Sequence, residues 1–131
     1  MSVSALPKRL RYVQKSGSRH VALLDDVSSD WDNLDARWKA KFEHLFEVYG
    51  DPTLRLTQEQ FKSEGRHSSG GGGSKDVLVW VFKAFQQRLY GSIFDVAGTP
   101  TFVCAAYDQK KRNRADPKLL KTVAQKLGPY I

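Results

Sequence analysis

The sequence is poor in the residues that build disulfides and metal sites, because its 131 residues include one cysteine and three histidines. The single Cys104 lies in an apolar run, so a disulfide framework is excluded and a reducing compartment is expected. One cysteine and scattered histidines also lack the spacing of a zinc site. We therefore expect neither a disulfide nor a bound metal.

Long apolar runs and phosphate-binding glycine motifs are missing as well. No apolar stretch is long enough to cross a bilayer, and the basic N-terminus is not followed by the apolar core of a signal peptide. Gly70–Gly73 lacks both the Lys-Ser/Thr pair and the helix of a P-loop. These absences favour a cytoplasmic protein that contacts no membrane and binds no cofactor.

Positive charge is abundant and unevenly distributed. The net charge is +7, from 21 basic and 14 acidic side chains. Residues 1–74 hold 11 basic and 10 acidic side chains, whereas residues 75–131 hold 10 basic and 4 acidic ones. An excess of six positive charges in the C-terminal part favours contact with a polyanion there, although a basic surface also serves solubility alone.

The N-terminal half predicts a flexible arm and then helices. Residues 1–18 are polar and basic and are expected to form the arm. Ser29 is a suitable N-cap, and apolar side chains then recur every three or four positions on one helical face: Trp31, Leu34, Trp38, Phe42, Leu45 and Tyr49. Thr57 and Gln60 form a capping-box pattern, which predicts a second, short helix over residues 58–62.

The C-terminal half predicts three strands and a helix. Residues 77–82 are apolar at every position, so both faces of this strand should be covered. Residues 88–96 and 101–107 are two further strands joined by turn-forming residues. A final helix over residues 117–127 is marked by Asp116 as N-cap and by Gly128 after its end.

Together these elements predict an α+β fold, with a helical pair followed by a small antiparallel sheet and a C-terminal helix. A short strand over residues 19–24 is expected to precede the helices. Residues 19–131 are expected to be a single domain, interrupted by a Gly/Ser-rich loop at residues 68–74 that is flexible by composition.

Three side chains are candidates for catalysis on RNA. Lys83 ends the first of the three strands and Arg88 begins the next, so the short connection between them should bring both to one rim of the sheet. Cleavage of RNA by its 2′-hydroxyl requires stabilisation of a dianionic phosphorane and a route for protons, and Arg and Lys supply charge for the first. Tyr107 is the candidate for proton transfer or base stacking. Strand-end cations are also a common way to keep a sheet edge soluble, so that interpretation stays open.

A basic run follows the last strand and precedes the final helix. Its cations are Lys110, Lys111, Arg112 and Arg114. Cations near a helix N-terminus oppose the helix dipole, so their presence favours a bound anion such as an RNA phosphate. A solvated loop is the alternative interpretation.

The C-terminal motifs resemble a known family. Val79-Trp80-Val81-Phe82-Lys83, then Arg88-Leu89-Tyr90, then an apolar strand and Lys110-Lys111, are similar to the RelE/HigB superfamily of toxins from bacterial and phage toxin–antitoxin systems. The sequence departs from the family pattern at Val81 and Phe82, where Glu-Leu is usual. It also lacks the histidine that many relatives carry on the returning strand.

The resemblance implies a RelE-like fold and a ribosome-dependent, metal-independent mRNA endoribonuclease, neutralised by an antitoxin of the helix-turn-helix type. Lys83, Arg88, Lys110 and Lys111 would then bind and polarise the scissile phosphate. The alternative is a non-catalytic RelE/ParE-like protein that inhibits a target by binding protein or nucleic acid. A protein–protein module, in which the charge only aids solubility, is a third possibility.

Overall fold

The computed structural model describes residues 10–70, 75–109 and 115–130. Within these ranges the chain forms a six-stranded sheet, three α-helices and a short 3₁₀ turn. The helices and strands, in chain order, are β1 Arg11–Gln14, β2 His20–Leu23, α1 Asp25–Asp32, α2 Ala36–Gly50, β3 Phe61–Ser68, β4 Asp76–Ala84, β5 Gln87–Val96, β6 Thr99–Gln109 and α3 Pro117–Leu127.

The sheet has the strand order β1-β2-β6-β5-β4-β3. β2 and β6 run parallel, and every other neighbouring pair is antiparallel. The predicted fold class, a RelE-like helical pair followed by a small antiparallel sheet and a C-terminal helix, is therefore wrong, because the sheet is mixed, strands dominate and two strands precede the first helix. Parallel strands need a long connection between them, and the segment that contains α1 and α2 begins that connection.

The helix expected over residues 58–62 is a single turn that leads into β3. The predicted local contacts do form: the Thr57 N–H donates to Gln60 Oε1 at 3.0 Å, and the Phe61 N–H donates to the Thr57 carbonyl at 2.9 Å. The chain then extends, and the Phe61 ring packs on the Phe82 ring with centroids 4.3 Å apart. Packing in the core thus overrides the local capping signal.

The long helix expected from Ser29 onward is two helices. α2 begins after Asp35, whose carboxylate accepts the Arg37 N–H at 2.8 Å and so caps a new helix. Trp31 on α1 nevertheless packs against Phe46 on α2, with ring centroids 5.8 Å apart. The apolar periodicity therefore indicates the buried face but does not reveal the break.

Part of the segment expected to be a flexible arm, residues 1–18, is an edge strand. β1 pairs antiparallel with β2, and Arg11 fixes it to α1 by an ion pair with Asp32 at 2.8 Å and a hydrogen bond to Ser28 Oγ at 2.7 Å. Residues 1–9 lie outside the described ranges.

Both faces of β4 are covered, as its uninterrupted apolar sequence predicts. Val79 and Val81 project to one face and Phe82 to the other, and all three are buried. The Phe46 ring of α2 meets the Phe82 ring at 5.1 Å, so α2 covers the Phe82 face. α3 packs against β3 to β6 and covers the opposite face. The sheet therefore lies between α2 on one face and α3 on the other.

Candidate functional site

The β4–β5 hairpin brings the two cations predicted to share a rim directly opposite each other. Ala84 pairs with Gln87 across a two-residue turn, and Lys83 pairs with Arg88 in the next position of the ladder. Directly paired residues project from the same face of a sheet with their Cβ atoms close together. The Lys83 and Arg88 side chains therefore leave the sheet side by side.

A cleft of about 550 Å³ lies beside this hairpin. Four cations and one carboxylate line it, and we call it the cationic cleft after its charged residues, Lys41, Glu59, Lys62, Lys83 and Arg88. α2 supplies Lys41 and β3 supplies Lys62, so the cleft depends on the packing of both elements on β4. Like charges gathered in one concave surface create a field that attracts an anion.

The pKa of Lys83 is lowered from its usual range. The main cause is partial burial, which disfavours the charged ammonium, and the positive charges of Lys62 and Arg88 act in the same direction. Glu64 and Glu59 oppose the shift. A lysine with a lowered pKa loses its proton more readily, so Lys83 is suited to proton transfer.

The Arg88 guanidinium is held against its own hairpin. Nη1 donates to the carbonyl of Phe85 and, at 3.1 Å, to the carbonyl of Gln87. A guanidinium has five N–H donors, so these contacts through one nitrogen orient the group and leave donors for a phosphate.

Tyr107 lies apart from Lys83 and Arg88. It pairs with Leu89, which places it on the opposite face of the sheet from Arg88. A bulge causes this placement, because the β6 partners step from Ala106 to Cys104 and the extra residue reverses the alternation of side chains.

The surroundings of Tyr107 are acidic. With Asp30, Asp35, Trp38 and Gln87 it lines a second cleft of about 290 Å³, which we call the acidic cleft. Its hydroxyl donates to Gln87 Oε1. Burial raises the pKa of Tyr107, and the carboxylates of Asp30 and Asp108 raise it further. The structure therefore does not bring Tyr107 together with the cationic pair.

The predicted RNA-binding run, Lys110, Lys111, Arg112 and Arg114, lies outside the described residues. Gln109, the last described residue before it, pairs with Gln87 next to the β4–β5 turn.

Residues of the cationic cleft that sequence reasoning missed include Lys41, Glu59, Lys62 and Phe85. The sequence pattern predicts a helix at Lys62. Lys41 lies on the polar side of α2, where lysines are common and do not indicate a binding site. Phe85 carried a detectable signal, because an aromatic residue in a short turn between two cations is unusual. The histidines contribute nothing to this cleft, and His67 Nε2 instead lies 2.9 Å from the Glu64 carbonyl oxygen.

Comparisons with known proteins do not assign the site. No protein-family model, curated protein or solved structure matches the chain. Among the described residues, no group of His, Cys, Asp and Glu side chains could hold a metal ion. In the same part of the chain, no helix has the length and apolar character needed to span a membrane. The function must therefore be argued from the clefts themselves.

Proposed function

We propose that the protein is the toxin of a toxin–antitoxin pair, a ribosome-dependent endoribonuclease that cleaves mRNA in the cytoplasm at the cationic cleft. The observation that carries this proposal is the direct pairing of Arg88 with Lys83, a lysine of lowered pKa, in a cleft lined by four cations. The resemblance of the surrounding motifs to RelE/HigB toxins supports it from the sequence.

The chemistry requires charge and a proton carrier. The 2′-oxygen of a ribose attacks the neighbouring phosphorus, a dianionic phosphorane forms, and the 5′-oxygen of the next nucleotide leaves. In its deprotonated form, Lys83 accepts the proton of the 2′-hydroxyl, and the resulting ammonium returns it to the leaving oxygen, so no proton is gained or lost. Arg88 stabilises the developing negative charge. The products are a 2′,3′-cyclic phosphate and a 5′-hydroxyl end.

Messenger RNA translated on ribosomes, incubated with the purified protein and mapped by its 5′ ends, tests this proposal. We expect defined cuts from the wild type, none from Arg88→Ala, and a large loss of rate for Lys83→Met. Lys121→Ala, which removes an exposed cation from α3, is the matched control and should cut normally. An intact message after treatment with correctly folded wild-type protein would contradict the proposal.

A non-catalytic binding protein is the second candidate, and the position of Tyr107 favours it. With that phenol on the opposite face, Lys83 is the one side chain of shifted pKa that lines the cationic cleft among the described residues. Growth arrest by the protein with intact mRNA in the same cells would support this candidate and exclude the endoribonuclease.

The partner that this proposal requires is an antitoxin of the helix-turn-helix type. A segment with excess negative charge would complement the four cations of the cleft and block access of RNA. Co-expression with the product of a neighbouring reading frame should restore growth, and a complex that leaves Lys83 and Arg88 fully exposed would contradict this mode of inhibition.

A further inference from the structure

The first residue of the β4–β5 turn is conformationally unusual. Phe85 has φ +55° and is 72% exposed. A side chain in this left-handed region costs free energy that glycine would avoid, and a ring that is mostly exposed gains little from burial. Positive φ is common in two-residue hairpin turns, so the observation that points to a function is an exposed aromatic ring at a position where glycine or asparagine is usual.

The Phe85 ring packs beside a second aromatic ring, and one cation lies over each of the two rings. Its centroid lies 5.3 Å from that of Trp38 on α2, with the rings inclined by 57°. Lys41 Nζ lies 5.8 Å from the Phe85 centroid, and the Arg37 guanidinium lies 4.5 Å from the Trp38 centroid. Trp38 thus supports the Phe85 ring from the side of α2.

The same turn also orients Arg88, the proposed phosphate-binding group. Arg88 donates to the Phe85 carbonyl, so the guanidinium and the exposed ring are fixed to one short segment. Phe85, Lys83 and Arg88 also line the same cleft. An anion at Arg88 would therefore lie within one nucleotide of a flat apolar surface.

We propose that Phe85, supported by Trp38, is a stacking platform for an unpaired RNA base beside the phosphate held by Lys83 and Arg88. The proposal rests on the proposed function for the identity of its ligand and adds to it a preference for single-stranded RNA. Every base offers a π-face to an aromatic ring, whereas a duplex hides those faces within its stack. The surrounding cations favour RNA over an apolar protein segment, because a phosphate accompanies every base.

Fluorescence anisotropy with two short oligonucleotides tests the platform without ribosomes. One is an oligouridylate, and the other has the same backbone with abasic nucleotides. Because stacking on an aromatic side chain contributes about 1–3 kcal/mol per base, the wild type should bind the oligouridylate about tenfold more tightly than the abasic strand. Phe85→Gly should bind both strands equally, and Phe85→Trp should keep the preference.

A matched variant controls for the backbone. Ala97, in the β5–β6 turn, also has a positive φ, of +51°, but carries no ring. Ala97→Gly and Phe85→Gly should both preserve or raise stability, since glycine accepts this conformation. Ala97→Gly should keep the wild-type preference for bases.

Three outcomes would overturn the platform: equal wild-type affinity for both strands, an unchanged preference in Phe85→Gly, or loss of antitoxin binding alone in that variant. The last outcome would assign Phe85 to a protein interface. The failure of this inference is distinct from that of the proposed function. A preference for bases without any mRNA cleavage would support the stacking platform and contradict the endoribonuclease. Cleavage without a preference for bases would support the endoribonuclease and contradict the platform.

Discussion

The cationic cleft and the acidic cleft both border the β4–β5 hairpin, yet they present opposite charges. Arg88 lies in the first, and its neighbour Gln87 lies in the second. Successive residues of a strand project to opposite faces, so one step along β5 passes from one environment to the other. The comparison shows that a strand end can separate two electrostatic environments with no intervening structure.

The two clefts change the ionisation of their central groups in different directions. The pKa of Lys83 falls, through burial and then through the charges of Lys62 and Arg88. The pKa of Tyr107 rises, through burial and then through Asp30 and Asp108. In each cleft, burial and charge act together. The pKa of the Lys83 ammonium thereby moves towards neutral pH, and the pKa of the Tyr107 phenol moves further away from it.

Charge reversal at one residue of the cationic cleft should have the largest effect. Arg88→Glu removes a donor to phosphate and adds repulsion, so we expect the affinity for single-stranded RNA to fall by roughly 100-fold. The dependence of affinity on salt should also weaken, because fewer counterions are released. Asp30→Lys, the reciprocal change in the acidic cleft, should alter the affinity little. Equal changes in RNA affinity from the two substitutions would show that the cationic cleft is not the preferred RNA-binding surface.

Tyr49 allows the effects of burial and of nearby charge on a pKa to be distinguished, because at this residue they act in opposite directions. Its side chain is 5% exposed, and burial raises its pKa to about 12 although Arg19 acts in the opposite direction. The folded protein therefore keeps a proton that the unfolded chain loses above the usual tyrosine pKa of 10.0. The stability contribution from this phenol is present below that pH and is lost as the pH rises through about 12.

The free energy of unfolding of the wild type should fall as the pH rises from about 10 to 12. We expect this fall to be about 2–3 kcal/mol smaller in Tyr49→Phe, as measured by urea denaturation across this range. Near neutral pH the same variant should cost little, since the Tyr49 hydroxyl is buried with no hydrogen-bond partner among the described residues. An alkaline transition identical to that of the wild type would show that burial does not govern this group.

Removing the hydroxyl of Tyr107 should lower the stability of the protein without changing RNA binding or cleavage. Tyr107→Phe leaves the side-chain amide oxygen of the buried Gln87, Oε1, without the hydroxyl that donates to it, which should cost about 1 kcal/mol. Asp30→Asn, on the exposed side of the same cleft, should leave the free energy of unfolding unchanged. Loss of mRNA cleavage in a folded Tyr107→Phe protein would place the chemistry on the acidic side.

Local signals in the sequence suffice for the elements that are determined locally. The Lys83–Arg88 pairing follows from two strands and a short connection, and α3 follows from its cap, where Asp116 accepts the Lys118 N–H at 2.9 Å. β3 could not be found this way, because Phe61 is its one large apolar residue and the capping pattern before it predicts a helix.

The rest of the site depends on packing between elements distant in sequence. Lys41 and Lys62 reach the cleft through the placement of α2 and β3 against β4. Tyr107 is placed by the bulge at Ala105, since uninterrupted alternation from Phe102 would have put it on the face of Arg88. Neither feature has a signature within its own segment.

The smallest effect we expect is a shift in the pH profile, and it tests why the clefts differ. Lys62→Gln removes a positive charge that lowers the pKa of Lys83, so that pKa should rise. The neutral amine is then reached at higher pH, and the rising limb of the cleavage rate should move in the alkaline direction.

Glu64→Gln is the matched control, because it removes an opposing charge and should move the limb the other way. Titration of the Lys83 ammonium by NMR in both variants measures the shift independently of activity. If the pKa of Lys83 is the same in both variants and in the wild type, burial alone lowers it. The opposite pKa shifts of Lys83 and Tyr107 would then reflect the two residue types and not the charges around them.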